Sequence, residues 1–332
     1  MLDYVEVISS ALEAASIRSS TSYTWFGVSS ARVPAAIRRR LTEDAAGAYL
    51  ASQLQFRLYT DFYCLGAPSP SAPDEPARLE PSTSFVNTLS QANCGSGCWE
   101  SGWQLLKIGE DWGSVRRNGL TLRCSADDCA TGSALTPGLE LSVRLPKELL
   151  AMSPGYYSAL GNRSLPSSNE ISRVRLYWNL AADGAAFFVH EITSRLNQGG
   201  VPFGLKVLND PRRFARCDAG VLYLAAADFC GSSRQLVDIY VALRRFLKPR
   251  VPALTKMLAP GLGLAEDPPG RESFGLHRCA LLARGIIRAH KAGTPSTREK
   301  LRCVQDSFRS EGLRLDRPFL NSGAADIYEL RF

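Results

Sequence analysis

The segment Arg173-Val-Arg-Leu-Tyr-Trp-Asn-Leu180 constrains the fold more than any other part of the chain. A strand sends successive side chains to opposite faces. Val174, Leu176, Trp178 and Leu180 then share one wholly apolar face, while Arg173, Arg175, Tyr177 and Asn179 share a wholly polar face with two cations. Such a strand buries one side against a core. Its other side suits an anion site better than bulk water, where strands usually mix both charge signs. An ordinary amphipathic edge strand is the alternative.

Around this strand the pattern alternates. Strands are expected over 172–180, 203–208 and 220–225, with helices over 185–197, 232–247, 277–290 and 296–310 and a short final strand over 327–331. Gly199 and Gly200 close the first of these helices, and Ser232 and Ser296 suit N-caps. Upstream, the first 66 residues read as helical, with Ala46, Leu50, Leu54, Leu58 and Phe62 four apart on one face that ends at Gly66. Residues 67–83 carry too much Pro for a helix or strand and read as a linker. Short strands alternate with Gly and Asn turns over 85–146, turn-forming residues dominate 153–169, and the Pro/Gly-rich stretch 259–270 reads as a mobile loop. The expected class is α+β: a helical N-terminal region with its linker over 1–84, then a domain over 85–332 built on a mixed, largely antiparallel sheet flanked by helices.

Composition narrows the function. The 332 residues are 45% hydrophobic, enough for a sizeable core, and no apolar run approaches the ~18 residues of a membrane span. The first residues, acidic and without a basic n-region, do not read as a secretory signal, so the cytoplasm is expected. Thirty-nine Lys and Arg against 32 Asp and Glu give +7, mostly from Arg, the side chain suited to bidentate capture of phosphate or carboxylate. No Lys/Arg-rich run, zinc-finger spacing or RNP-type aromatic motif supports nucleic acid as a partner. The nine cysteines read as free thiols, and neither Cys94-x3-Cys98 nor Cys124-x4-Cys129 has the usual zinc spacing, so no metal is expected.

The polar residues that could do chemistry lie after residue 170. Lys206 stands in the otherwise apolar Phe203-Gly-Leu-Lys-Val-Leu208 beside a glycine. It is either a snorkelling edge residue or, with its pKa lowered by partial burial, a proton acceptor. Arg212, Arg213 and Arg216, with Asp218 close behind, add phosphate-binding capacity. Ser273-Phe-Gly-Leu-His-Arg278 opens a helix, a usual seat for an anion, and places His277 and Arg278 in the first turn. Of the three histidines, His190 reads as packed or surface and His290 as solvated, leaving His277. No G-x-S-x-G, H-E-x-x-H, Walker A or G-x-G-x-x-G motif is present.

These residues also carry a family resemblance. Arg175-Leu-Tyr-Trp-Asn-Leu180, Val201-Pro-Phe-Gly-Leu-Lys-Val-Leu-Asn209, Arg216-Cys-Asp-Ala-Gly-Val-Leu-Tyr223 and Glu272-Ser-Phe-Gly-Leu-His-Arg-Cys279 resemble the HopA-type family. Upstream, Leu58-Tyr-Thr-Asp-Phe-Tyr63 with Gly66, and Ala92-Asn93 through Gly102-Trp103, are similar to it too, so the resemblance spans about residues 50–330. That family includes type III effectors of plant pathogens and the lyase partners of kinases in thioamitide and class V lanthipeptide biosynthesis. More distantly it resembles the phosphothreonine lyases, which remove phosphate by β-elimination. In those enzymes a lysine takes the α-proton, an acid protonates the leaving phosphate, arginines hold it and no metal or other cofactor takes part.

The resemblance implies Lys206 as the base and Arg216 and Arg278 as phosphate ligands, joined by Arg173, Arg175, Asn179 and Ser273 from the residue reading. The lyases carry a Lys-x-His pair on the preceding strand, where this chain has Arg175-Leu-Tyr177, so the acid is either Tyr177 or His277. The implied function is a phosphoserine/phosphothreonine lyase acting on a phosphorylated precursor peptide of a ribosomally made natural product. Because the chain has no ATP-binding motif, a separate Ser/Thr kinase in complex with it is the implied partner. The alternatives are an effector-like lyase acting on a host phosphoprotein and a phosphopeptide-binding scaffold without catalysis.

Overall fold

The computed structural model describes residues 3–70, 81–130, 136–150, 152–166, 170–270, 272–293 and 296–332. The chain opens with α1 (Tyr4–Ala14), capped by the Asp3 carboxylate on the Val5 and Glu6 amides. Three short strands follow, β1 (Ala15–Ser19), β2 (Ser22–Trp25) and β3 (Val28–Ser29), then α2 (Ala35–Arg38) and α3 (Glu43–Leu58). After α4 (Thr83–Ala92) come β4 (Cys98–Ile108), β5 (Trp112–Arg117), β6 (Leu120–Ser125), β7 (Cys129–Ala130) and β8 (Glu140–Leu145). The chain continues through β9 (Tyr156–Leu160), β10 (Arg173–Trp178), α5 (Ala185–Gln198), β11 (Phe203–Leu208) and β12 (Gly220–Ala225). It finishes with α6 (Asp228–Gly231), α7 (Ser233–Leu243), β13 (Lys256–Ala259), β14 (Leu262–Glu266), α8 (Phe274–Lys291) and α9 (Thr297–Arg309).

The architecture is α+β, with strand pairings that are antiparallel throughout the described residues. A six-stranded sheet in the order β13-β14-β10-β12-β11-β9 holds β10 between two partners, and a five-stranded sheet in the order β6-β5-β4-β8-β7 has a small core of its own around Trp103, Leu105 and Val115. The apolar face of β10 meets α5 and α7, where the Trp178 ring lies 5.5 Å from Phe188 and 6.5 Å from Tyr240. On the opposite face, Tyr177 packs against Tyr63 (6.3 Å) and Phe274 (6.5 Å).

The apolar stripe of α3 behaves as its spacing predicts: Ala46, Leu50, Leu54 and Leu58 are buried, and Phe62 continues the stripe through a π turn, Tyr59–Tyr63. This stripe shares one core with the large sheet and α8. The closest approach is at Gly275, where any Cβ would run into the Tyr63 ring. At the far end of the molecule the Lys300 ammonium donates to the Leu12 (2.8 Å) and Ala15 (2.6 Å) carbonyls, tying α9 to the end of α1.

Several sequence expectations are corrected. The first 66 residues are not all helical, because β1–β3 form a meander over 15–29. The β-branched and aromatic residues Ile17, Tyr23, Thr24 and Trp25 favour strand, and Gly27 at φ +81° turns the chain. The stretch 259–270 is not a loop throughout: β14 is buried along its whole length and hairpins with β13 through Gly261 at φ +78°. Gly263 serves packing, since a Cβ there would meet Thr255 Oγ1 at 2.8 Å and Val251 at 3.1 Å. Finally, residues 327–331 form no strand, and Tyr328 is instead fixed by its hydroxyl donating to the Glu266 carboxylate at 2.6 Å. The 232–247 helix is shorter than expected, ending at Leu243 before a 3-10 turn, and Ser232 makes no side-chain cap bond, whereas Ser296 caps α9 as anticipated. Of the linker over 67–83, residues 71–80 lie outside the described residues, as do 167–169 of the turn-rich segment, whose centre forms β9.

The α8–α9 contact gives a test of this packing. A Cβ on Gly285 would sit 2.6 Å from the Val304 backbone, so Gly285→Ala must push the helices apart. Overpacking costs about 1–3 kcal/mol, against about 1 kcal/mol gained in helix propensity. A net loss of about 1–2 kcal/mol in urea unfolding is expected, while Gly231→Ala, which meets open space, leaves stability unchanged or raised. Equal stability of Gly285→Ala and the parent chain would contradict the packing described.

Candidate active site

Register brings the chemistry together. Arg175 lies opposite Tyr223 across β10 and β12, and Tyr223 lies opposite Gly204 across β12 and β11. One pleat along, Tyr177, Val221, Lys206 and Ser158 form the next row. Directly opposed residues point to the same face, so Arg173, Arg175, Tyr223 and Lys206 all project from one side of the sheet. Over them stands the five-stranded sheet, and the two enclose a cavity of about 440 Å³. Lys206, Tyr223, Arg173 and Arg175 form its polar end.

Three cations surround the Tyr223 ring: Arg175 at 5.2 Å, Arg173 at 5.7 Å and Lys206 at 5.8 Å from its centroid. Burial alone would raise the phenol's pKa. The charges of Lys206 and Arg175, with a hydrogen bond from Lys206, outweigh it and hold the phenol below the ordinary tyrosine value. Lys206 also lies over the Tyr156 ring at 4.6 Å. The Asp267 carboxylate anchors both arginines, accepting from Arg173 Nη2 and Arg175 Nε at 2.7 Å each. Arg173, Arg175 and Lys206 thus gather at this end, with Asp267 holding the two arginines, a set that suits an anionic group.

The other expected site residues sit elsewhere. Arg216 forms a two-pronged pair with Asp218 (2.6 and 2.8 Å) and donates to Tyr59 Oη at 2.9 Å, behind Tyr156 rather than on the cavity wall. Burial would raise the Asp218 carboxyl, but Arg216, helped by Lys206, keeps it below the usual range. Arg278 is fully buried and donates to the Pro318 (2.8 Å) and Leu320 (3.0 Å) carbonyls, pinning the C-terminal segment to α8. Burial draws its pKa down to about 10. Asn179 donates to the Arg250 carbonyl at 2.9 Å, and Ser273 Oγ caps α8 by accepting from the Leu276 amide.

The two candidate acids are also outside the cavity. Tyr177 is buried between Tyr63 and Phe274, and burial raises its phenol. His277 bonds Glu311 through Nε2 at 2.9 Å and contacts Arg278 through Nδ1. Burial and the Arg278 charge lower its pKa. It lines a neighbouring cavity, of about 450 Å³, on the other side of Asp267. The residue missing from the sequence reading is Tyr223. Placing 220–225 antiparallel between 173–178 and 203–208 would have found it, because it then falls between Arg175 and Gly204.

The cysteines do not gather. Cys124 and Cys129 lie 3.2 Å apart on β6 and β7, Cys94 contacts His190 Nδ1 at 3.3 Å, and Cys98 is buried on β4. Among the described residues there is no group of three or more His, Cys, Asp or Glu side chains placed to hold a metal ion, and no helix is long and apolar enough to cross a membrane.

The HopA1 effector protein family matches residues 149–320, just over half of the chain. The chain belongs to the HopA1 effector protein family. The matched segment runs from before β9 to beyond α9 and so contains Arg173, Arg175, Lys206, Tyr223 and Asp267. No curated protein matches significantly. Among solved structures, the chain is similar to the effector protein from Pseudomonas syringae pv. tomato strain DC3000, with 15% identity over 83% of this chain and 95% of that one and a TM-score of 0.48. It is also similar to the effector protein from Pseudomonas syringae pv. syringae strain 61, with 12% identity over 87% and 93% of the two chains and a TM-score of 0.45.

The geometry around Tyr223 makes a direct expectation. The phenol titrates low because cations favour its anion, so removing one must move its pKa up. Lys206→Met is expected to raise the Tyr223 titration midpoint, read by NMR of ring-labelled tyrosine with Tyr223→Phe as the assignment control. An unchanged midpoint would show that Lys206 does not act on that phenol.

Proposed function

We propose that this protein is a phosphoserine/phosphothreonine lyase that eliminates phosphate from a phosphorylated peptide, giving dehydroalanine or dehydrobutyrine. The observation that carries this reading is the contact of Lys206 with Tyr223 inside a cavity end that also holds Arg173 and Arg175. A base, an acid and a pair of phosphate-seeking cations are the set that β-elimination requires.

The steps follow from that set. Lys206 removes the α-proton, and the electron pair left on Cα forms the new double bond as the Cβ–O bond to phosphate breaks. A peptide α-proton is far too weak an acid for an amine unaided, so guanidinium charge must stabilise the developing enolate and the leaving phosphate. Arg173 and Arg175 supply it. Tyr223 protonates the departing phosphate oxygen, and the Arg175 charge, which favours the phenolate, makes that transfer easier. Proton return from the Lys206 ammonium to the Tyr223 phenolate, along their hydrogen bond, resets both groups. The proton that leaves on the phosphate is thus the one Tyr223 carried, and the substrate's α-hydrogen remains in the Lys206–Tyr223 pair.

The substrate proposed is a precursor peptide phosphorylated by a separate Ser/Thr kinase that associates with this chain and keeps the phosphorylated intermediate nearby. The setting proposed is the cytoplasm of a producer of thioamitide- or lanthipeptide-type products. Membership of an effector family favours a second reading, the same chemistry on a host phosphoprotein.

Pure protein incubated with a phosphothreonine peptide is expected to remove phosphoric acid and leave a thiol-trappable alkene, read by mass spectrometry. Lys206→Arg should abolish turnover yet retain phosphopeptide binding. An unmodified threonine product would mean hydrolysis, phosphopeptide binding by the parent chain without any turnover would mean a scaffold, and full turnover by Lys206→Arg would remove Lys206 from the role of base. Tyr223→Phe is expected to lower kcat by about 10²–10⁴-fold, the usual contribution of a positioned acid. In the parent enzyme, activity should fall as pH rises through the Tyr223 pKa, below the ~10 of an ordinary phenol, because the acid form is lost. A normal rate in Tyr223→Phe beside an inactive Tyr177→Phe would transfer the acid role to Tyr177.

A further inference from the structure

We infer that the apolar end of the 440 Å³ cavity is a subsite for an aliphatic side chain immediately next to the phosphorylated residue of the peptide. This rests on the lyase reading and specifies its substrate. Away from the cations the cavity is lined by Leu120, Leu122, Leu145, Leu149, Leu165 and Met152, with Leu165 beside Gly204. They come from β6, β8 and the loops flanking β9, so no single amphipathic element accounts for them.

Two of these residues face water. Leu120 is 41% and Met152 55% exposed, and both open into the cavity rather than scattering singly over the surface. Exposed apolar surface at the mouth of a binding cavity gains free energy when an apolar group covers it. The charged side chains at this end are engaged: Arg117 pairs with Glu100 and Glu170, and Arg163 donates to the Gly200 carbonyl. A cationic or anionic side chain would therefore meet aliphatic wall and satisfied charges.

Gly204 fixes the distance between the two ends. A Cβ placed there would touch the Cβ and ring base of Tyr223 at 3.9 Å and Leu165 at 4.0 Å, so the aliphatic wall adjoins the side chain that carries the proposed acid. Consecutive Cα atoms are about 3.8 Å apart, which leaves the neighbouring residue, not a distant one, as the group that reaches Leu165.

The test uses the full chain and peptides built on α-methyl-phosphoserine, which bind without turnover because they lack an α-proton. One peptide has glycine on both sides of the phosphoresidue, and others place Leu, Lys or Asp on either side. Fluorescence anisotropy is expected to show Leu at one flank binding about tenfold or more tighter than Gly, with no gain for Lys or Asp. Leu120→Glu and Met152→Glu, two exposed positions with folding checked by circular dichroism, should each remove that preference. Equal binding of the Leu and Gly peptides, or a preference that survives both substitutions, would overturn the subsite. A Leu preference without elimination of ordinary phosphoserine peptides would instead overturn the lyase reading and leave the subsite standing.

Discussion

Everything at the candidate site depends on the antiparallel register of β10 with β12 and of β12 with β11. That register sets Arg175, Tyr223 and Gly204 in one row and Lys206 in the next. A slip of one residue would turn the cations into the core and Trp178 and Leu222 into the cavity. The burial of Val174, Leu176, Trp178, Leu222, Leu224 and Val207 on the helical side forbids that slip, so hydrophobic packing fixes the electrostatics. Asp267 completes the arrangement by holding Arg173 and Arg175 side by side, which two like charges in a half-closed cavity would otherwise resist.

The same face is divided between two tasks. Toward its lower end, Tyr177 and Asn179 are covered by the π turn and α8 and do structural work. Toward its upper end the five-stranded sheet leaves a cavity, where Arg173, Arg175 and Lys206 have space for a ligand. The N-terminal segment therefore matters to the site although none of its residues lines the cavity: Tyr59 and Cys64 complete the shell around Arg216 and Asp218 that supports Lys206 from behind.

Much of this was legible in the sequence. Strict alternation located β10, the bounds 203–208 and 220–225 matched β11 and β12, and the four-residue spacing from Ala46 to Phe62 gave the buried stripe of α3. Alternation shows which side chains share a face but not what covers that face, so Tyr177 and Arg175 looked equivalent until the cover was known. Arg278 and Arg216 looked like anion ligands for a similar reason. An arginine's role depends on acceptors distant in sequence, here the carbonyls of Pro318 and Leu320 and the carboxylate of Asp218. Tyr223 was hidden by its apolar surroundings in Val221-Leu-Tyr-Leu224, and only pairing with β10 and β11 reveals its charged neighbours. The glycines of 259–270 suggested a loop because single-residue propensity carries no information about Gly263 making room for Thr255 and Val251.

The central claim is that phosphate leaves by cleavage of the carbon–oxygen bond, and oxygen-18 labelling examines that bond directly. Phosphopeptide is turned over in water enriched in oxygen-18, and the released phosphate is read by phosphorus NMR, where each heavy oxygen shifts the signal. Elimination through Lys206 and Tyr223 leaves all the phosphate oxygens with their substrate origin, so the account predicts unlabelled phosphate. Incorporation of one heavy oxygen would mean attack of water at phosphorus, and the lyase assignment would fall.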